Sequence, residues 1–164
     1  MELRQLEKER YVGRAFTARY RTNGYYAIEA GEGGFSMRYT PFAAPVEKAF
    51  DDVFFGAWLE APVAYGAFEN EELIGFAEGS QESWNNRFRI SNLCVFDETK
   101  RGMGVGTALM EAIQKAAVTS GARMIVLETQ SCNETAIAFY RKNGFSVIGF
   151  DLYAYSNTDP EQHE

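Results

Sequence analysis

The stretch Arg101-Gly102-Met103-Gly104-Val105-Gly106-Thr107 follows an apolar run and opens a segment of helical periodicity. Its successive backbone N–H groups can therefore converge on one anion at the positive end of a helix dipole. Two familiar phosphate loops do not fit. A Walker A loop ends in Gly-Lys-Ser/Thr, and no lysine follows Gly106; a dinucleotide fingerprint reads G-x-G-x-x-G, whereas the spacing here is Gly102-x-Gly104-x-Gly106. Viewed alone, the stretch also fits a glycine-rich turn with no ligand. Other reactive groups are scarce. The one histidine, His163, lies in an acidic tail, and Cys94 and Cys132 match no metal-ligand spacing, so neither a metal site nor a Ser-His-Asp triad is expected. Nothing near Cys94 in sequence would activate it as a nucleophile, and a buried structural thiol is the expectation.

A loop of this kind needs a strand before it and a helix after it. Val63 to Phe68, the polar turn Glu69 to Glu72 and Leu73 to Ala77 read as a hairpin. A third strand, Phe88 to Phe96, follows a turn around Asn85 and Asn86 and should pair antiparallel, the connections being too short for crossovers. Thr107 to Thr119 sets Leu109, Ala112, Ile113, Ala116 and Ala117 on one helical face and stops at Ser120-Gly121. Met124 to Leu127 reads as a buried strand parallel to the one before the loop, completing a βαβ unit. Asn133 is placed to cap a helix through Ala136, Ile137, Phe139 and Tyr140 that Asn143-Gly144 ends. Phe145 to Tyr155 is expected as a last strand with a bulge at Gly149. Earlier in the chain, Tyr25 to Glu29 and Gly34 to Thr40 read as short strands, the second ended by Pro41 and Pro45, and Asp51 to Leu59 as a helical turn. Residues 1–24 fit a strand or a short helix.

A length of 164 residues fits one domain, expected over residues 1–155 with a disordered acidic tail at 156–164. No apolar run approaches the roughly 18 residues of a bilayer span, and the start MELRQLEKER is charged, so neither signal peptide nor membrane anchor is expected and the reading is cytoplasmic. A net charge of −7 and a pI near 4.9 argue against a nucleic-acid partner. The same charge suits attraction of a cationic small molecule, or serves solubility alone.

Arg101, Gly104 and Gly106 match the pattern Arg/Gln-x-x-Gly-x-Gly/Ala, preceded by Leu93-Cys94-Val95. About 30 residues on stands Asn133-x-x-Ala136-x-x-Phe139-Tyr140-x-x-x-Gly144-Phe145. In both motifs, their order and their spacing, the chain resembles the GNAT superfamily of N-acetyltransferases. The resemblance implies a mixed α/β sheet, the acyl-CoA N-acyltransferase fold, with antiparallel N-terminal strands and a splayed parallel central pair. It also implies acetyl-CoA as cofactor. Pro45-Val46-Glu47-Lys48, Ser83-Trp84-Asn85, Leu127-Glu128-Thr129-Gln130, Asn133 and Gly149-Phe150-Asp151 look like the streptothricin acetyltransferase branch, whose members acetylate an amino group of a β-lysine-containing antibiotic. One departure stands out. Where that branch often carries Ile-Glu-Asp, this chain has Ile90-Ser91-Asn92.

The site residues follow from that resemblance. The backbone of Leu93, Cys94 and Val95 would bind pantetheine and polarise the thioester carbonyl, and Arg101, Gly102, Met103, Gly104, Val105, Gly106 and Thr107 would hold the pyrophosphate. Asn133 would bond the pantetheine arm or cap its helix, and Tyr140 would act as general acid at the cofactor sulfur or pack as a core aromatic. An amine near pKa 10 arrives protonated, so a carboxylate or an ordered water must collect its proton. Among Glu78, Glu82 and Glu128 the reading favours Glu128 and Glu82. Trp84, Asn92 and Tyr153 are candidate substrate contacts, with Tyr25 and Tyr26 as further aromatic faces for a cation. The expected activity is acetylation of a primary amine on a small cationic compound, streptothricin among them, in a homodimer as is common in the family. Acetylation of protein lysines or N-termini, and a non-catalytic acyl-CoA-binding regulatory module, are the alternatives.

Overall fold

The computed structural model describes residues 1–163. Its elements run β1 (Glu2–Gln5), α1 (Lys8–Tyr11), β2 (Ala15–Gly31), β3 (Gly34–Val53), β4 (Val63–Glu69), β5 (Glu72–Glu82), β6 (Arg87–Val95), α2 (Val105–Thr119), β7 (Met124–Leu127), α3 (Glu134–Lys142) and α4 (Asp159–Gln162). They fall into two compact units, Met1–Ala18 with Phe50–Glu128 and Arg19–Ala49 with Thr129–Glu164. Among the described residues no helix is long and apolar enough to cross a membrane.

The first unit holds a five-stranded sheet in the order β1-β4-β5-β6-β7. The pairs β1–β4, β4–β5 and β5–β6 are antiparallel and β6–β7 is parallel, the mixed α/β sheet that the resemblance implies. Short polar turns force the antiparallel pairs β4–β5 and β5–β6, whereas α2 carries the chain back so that β7 can run alongside β6. Val105, Leu109, Met110, Ile113 and Ala117 recur at helical spacing and form the buried stripe of α2, which packs on β4, β5 and β6. A second apolar cluster gathers Leu6, Phe16, Phe54, Phe55, Ala64, Phe68, Phe76 and Cys94. Phe76 is its hub, with ring centroids 4.3 Å from Phe54 and 4.9 Å from Phe16.

Two details of this sheet matter for chemistry. The β6–β7 register runs from Arg87↔Met124 to Ile90↔Leu127 and stops, while β6 continues to Val95 in register with β5. The parallel ladder thus ends with β7 itself, and β6 runs on five residues beyond it. The β5–β6 register also jumps, from Glu78↔Asn92 to Gly79↔Ile90, which leaves Ser91 as the extra residue of a β-bulge.

In the second unit the two short strands and the two proline stops are corrected: β2 and β3 form one long two-stranded ribbon turning at Glu32-Gly33. Pro41 and Pro45 lie inside β3, and a strand in a two-stranded sheet has a free edge where a missing N–H breaks no ladder bond. Gly24 belongs to that ribbon for a steric reason, since a Cβ there would overlap the Thr40 carbonyl and the Tyr39 ring. The first unit brings a related correction at Asp51 to Leu59, where β3 continues to Val53 before a run of turns instead of a helical turn.

The expected strand Phe145 to Tyr155 is absent; the segment is irregular, with Ile148, Tyr153 and Tyr155 at least 60% exposed. A strand exists only where another strand answers its hydrogen bonds, and both sheets are built from other segments. The tail expected to be disordered instead carries α4, with Pro160 in its first turn. Asp159 is buried there and accepts from Tyr155 N–H (2.7 Å) and Ser156 Oγ (2.5 Å), local bonds that fold so short a helix without a long apolar face.

Candidate active site

The loop before α2 adopts the geometry an anion needs. Gly102 and Gly104 take φ of 78° and 90°, in the left-handed region, and an added Cβ at either would meet nothing within 4 Å. Gly104 is the N-cap of α2 and contributes no side-chain capping bond, and the first turn carries no acidic residue. The leading amides of α2, from Val105, Gly106 and Thr107, thus sit at the positive helix end without a side-chain acceptor from the cap or a competing carboxylate. Met103 and Thr107 are exposed. Arg101 turns back, donating from Nε (3.3 Å) and Nη2 (3.1 Å) to the Val95 carbonyl and pairing with Glu98 at 3.0 Å. It braces the loop against the end of β6. Lys100 is paired with Glu69.

The residues present suit the pyrophosphate and pantetheine of acetyl-CoA. Glycines leave room for close backbone approach, an open helix terminus faces the phosphate position, and Ser91 to Val95 lie beyond the end of the β6–β7 ladder. Leu93 and Val95 are half-buried and Cys94 is buried, with its thiol pushed up to about 12, first by burial and then by the field of Asp52. A thiol held that high stays protonated at neutral pH and does not act as a nucleophile. Among the described residues no group of three or more His, Cys, Asp or Glu could hold a metal ion.

The three carboxylates weighed from sequence meet different surroundings. Glu82, at the end of β5, accepts from Arg89 Nε at 2.7 Å, Arg87 Nε at 3.1 Å and Asn85 Nδ2 at 3.1 Å. Burial raises its carboxyl, but the Arg89 bond, with Asn85 and Arg87 behind it, wins and leaves it below the usual carboxylate range. Such a group holds charge in place and is a poor proton acceptor. Glu128 is exposed immediately after β7, where the ladder with β6 ends. Glu78 is fully buried; Phe55 N–H donates to its Oε2 at 2.6 Å, and Ser91 Oγ (3.2 Å) and Asn92 Nδ2 (3.5 Å) donate to its Oε1. Burial drives its carboxyl up, and the hydrogen bonds do not bring it back.

Phe55 and Asp52 were not singled out in the sequence, and nothing there marks them. Phe55 sits at φ 54°, in the left-handed region that a bulky residue avoids, held so by a core that buries its ring and a carboxylate that takes its N–H. Asn92, expected against substrate, is buried and donates from Nδ2 to Asp52 Oδ2 at 3.1 Å. Trp84 is 78% exposed in the β5–β6 turn, with the Arg87 guanidinium 5.7 Å from its ring centroid.

The remaining candidates fall in the second unit. Asn133 caps α3, its Oδ1 accepting from Ala136 N–H at 3.2 Å, and Asn143 and Gly144 end that helix as expected. Tyr140 is half-buried on α3, its ring centroid 6.0 Å from that of Phe145 and 5.7 Å from that of Phe139. Tyr25 stacks on His163 at 3.6 Å, Tyr26 faces the Arg141 guanidinium at 5.1 Å, and Tyr153 is exposed.

Residues 34–145 match the model of the acetyltransferase (GNAT) family. The chain is 36% identical over 105 residues to the streptothricin acetyltransferase of Escherichia coli, covering 64% of this chain and 59% of that protein. It is 29% identical over 150 residues to the streptothricin acetyltransferase of Streptomyces lavendulae, covering 87% and 79%. The crystal structure of nourseothricin acetyltransferase superposes with a TM-score of 0.78 at 27% identity, over 97% of this chain and 92% of that one. With a family match over more than half its length, this chain belongs to the acetyltransferase (GNAT) family of acetyl-CoA-dependent N-acetyltransferases.

Proposed function

We propose that the protein transfers the acetyl group of acetyl-CoA to a primary amine of a small cationic antibiotic of the streptothricin class, and so confers resistance to it. The observation that supports this most is the conjunction of the glycine loop, the uncapped start of α2 and the run of β6 from Ser91 to Val95 beyond its ladder with β7. The antibiotic class rests on the streptothricin and nourseothricin acetyltransferases that the chain resembles. Residues 1–155 are read as one domain, in the cytoplasm, a reducing compartment in keeping with two free thiols.

When bound, acetyl-CoA supplies an acetyl group already activated as a thioester. The protein's part is then positioning and electrostatics. The amides of Val105, Gly106 and Thr107 bind the pyrophosphate, and main-chain groups of Leu93 to Val95 orient the pantetheine and polarise the carbonyl. Asn133 bonds the pantetheine arm while capping α3, and Tyr140 gives a proton to the departing sulfur. The net charge of −7 draws the cationic acceptor in.

Release of free thiol from acetyl-CoA, measured across a panel of streptothricin, simple diamines and lysine-containing peptides, tests the reading. Streptothricin is expected to be the best acceptor by kcat/KM. Turnover confined to peptides would replace the antibiotic with a protein substrate, and tight binding of acetyl-CoA with no thiol released would make the chain a binding module. In the same assay Tyr140→Phe, which keeps the ring and removes the proton, is expected to lower kcat on the order of 100-fold with KM for acetyl-CoA little changed. Full activity in that variant would remove the acid role of Tyr140.

A further inference from the structure

A buried carboxylate is costly to a fold, and Glu78 is one. The groups that meet it are neutral donors, the Phe55 amide, the Ser91 hydroxyl and the Asn92 amide. Asp52, bridged to it through Asn92 Nδ2, adds a like charge from β3, and Cys94 of β6 faces the same pair as a neutral thiol. Glu78 is fully buried whereas Ser91 is half-exposed. Ser91 and Asp52 are the half-exposed members of the cluster, and of the two Ser91 is the one that bonds the Glu78 carboxyl and lies on β6 beyond its ladder with β7.

The bulge makes the arrangement possible. Side chains of adjacent strand residues ordinarily point to opposite faces. Ser91 is the extra residue of β6, so Ser91 and Asn92 both oppose Glu78; Asn92 donates to its Oε1, and the Ser91 hydroxyl lies 3.2 Å from both that Oε1 and the Glu78 main-chain carbonyl. The bulge also lies one residue past Ile90↔Leu127, where β6 leaves β7. That edge of β6 is where the thioester is read to lie. The neutral Ser91-Asn92 in place of an acidic pair thus does not remove the carboxylate from this place in the sheet. The carboxylate is on the neighbouring strand, one hydroxyl deeper.

We propose that Ser91 and Glu78 form a two-step proton relay that deprotonates the acceptor amine, Ser91 touching the substrate and Glu78 acting through it. The proposal rests on the reading that this chain acetylates an amine. A proton leaves the substrate ammonium for Ser91 Oγ as the Ser91 hydroxyl proton passes to Glu78 Oε1, and the nitrogen lone pair is freed. The C–N bond then forms at the acetyl carbonyl carbon and the C–S bond breaks. The second amine proton balances the one gained by the departing sulfur, and Glu78 returns its proton through Ser91 to solvent. A carboxyl raised by burial is matched to this role, because an acceptor works best when its pKa approaches the operating pH.

The experiment uses the full chain, acetyl-CoA and the best acceptor of the amine panel, and compares Ser91→Ala, Ser91→Thr and Glu78→Gln with wild type. Ser91→Ala is expected to lower kcat about 10- to 100-fold while the Kd for acetyl-CoA, by calorimetry, stays within twofold. Ser91→Thr keeps the hydroxyl and is expected to recover most of the rate. In wild type, kcat/KM rises with pH as Glu78 ionises, above the usual carboxylate range; in Glu78→Gln that rise is lost. A Ser91→Ala enzyme within twofold of wild type overturns the relay whether or not Glu78→Gln folds. So does a Glu78→Gln enzyme that keeps the pH-dependent rise. Wild-type protein that acetylates no amine overturns the functional reading and the relay with it. Wild-type turnover with an unaffected Ser91→Ala overturns the relay alone.

Discussion

Replacing Gly104 with aspartate is expected to weaken acetyl-CoA binding about 100-fold, with the thermal unfolding midpoint lowered by no more than in the uncharged asparagine variant. Gly104 sits at φ 90° with open space where a Cβ would go, and aspartate is among the few residues that tolerate the left-handed region and also favour an N-cap. The substitution thus costs the fold about 1 kcal/mol of backbone strain, a cost that Gly104→Asn shares. Its effect falls on charge: a carboxylate added at the positive end of α2 lies a few ångströms from the expected pyrophosphate, and at an effective dielectric near 20 each close pair of like charges costs several kcal/mol before screening. Gly104→Asn, of the same size and uncharged, separates repulsion from bulk and should retain most of the affinity. Calorimetry with acetyl-CoA at low and high salt checks both. Equal losses in Asp and Asn variants would mean that shape decides the site, and no loss in either would remove the loop from cofactor binding.

Phe76→Ala is expected to cost about 3–5 kcal/mol of stability. Phe76 is fully buried on β5 and touches Phe16, Phe54 and Phe96 by ring contacts of 4.9, 4.3 and 5.8 Å between centroids. Truncation leaves a hole bordered by other rings, which have few rotamers with which to fill it. Chemical denaturation monitored by circular dichroism gives the number. Because Phe76 and Glu78 lie two apart on one strand, the variant should also loosen the Phe54-Phe55 turn whose amide holds Glu78, and activity should fall below what the unfolded fraction explains. A loss under 1 kcal/mol would show that the aromatic cluster does not anchor this face of the sheet.

How far each part of the protein was legible in the sequence follows from the range of the forces that make it. The hairpin of β4 and β5, the helix α2, the strand β7 and the caps of α3 all rest on local periodicity or on one capping side chain, and all appear close to their expected bounds except that β5 runs on from Ala77 to Glu82. The long ribbon of β2 and β3 did not announce itself. Its prolines read as stops, and only a free strand edge makes them tolerable. Phe145 to Tyr155 erred in the other direction, since its alternating apolar residues read as a strand but no partner edge answers them.

The site divides along the same line. The sequence by itself determined the glycine loop, the helix behind it, the family and, through Ile90-Ser91-Asn92, the loss of two acidic side chains. Only the tertiary structure set the carboxylates apart. Glu82 is held low by Arg89 and Arg87, while Glu78 is raised by burial and joined to Ser91 across a bulge. Residue type and spacing specify what a local segment can do, but the proton affinity of a carboxyl depends on the water removed from it and the charges facing it. Those are set by strands and turns remote in sequence, and so exist only once the sheet has formed.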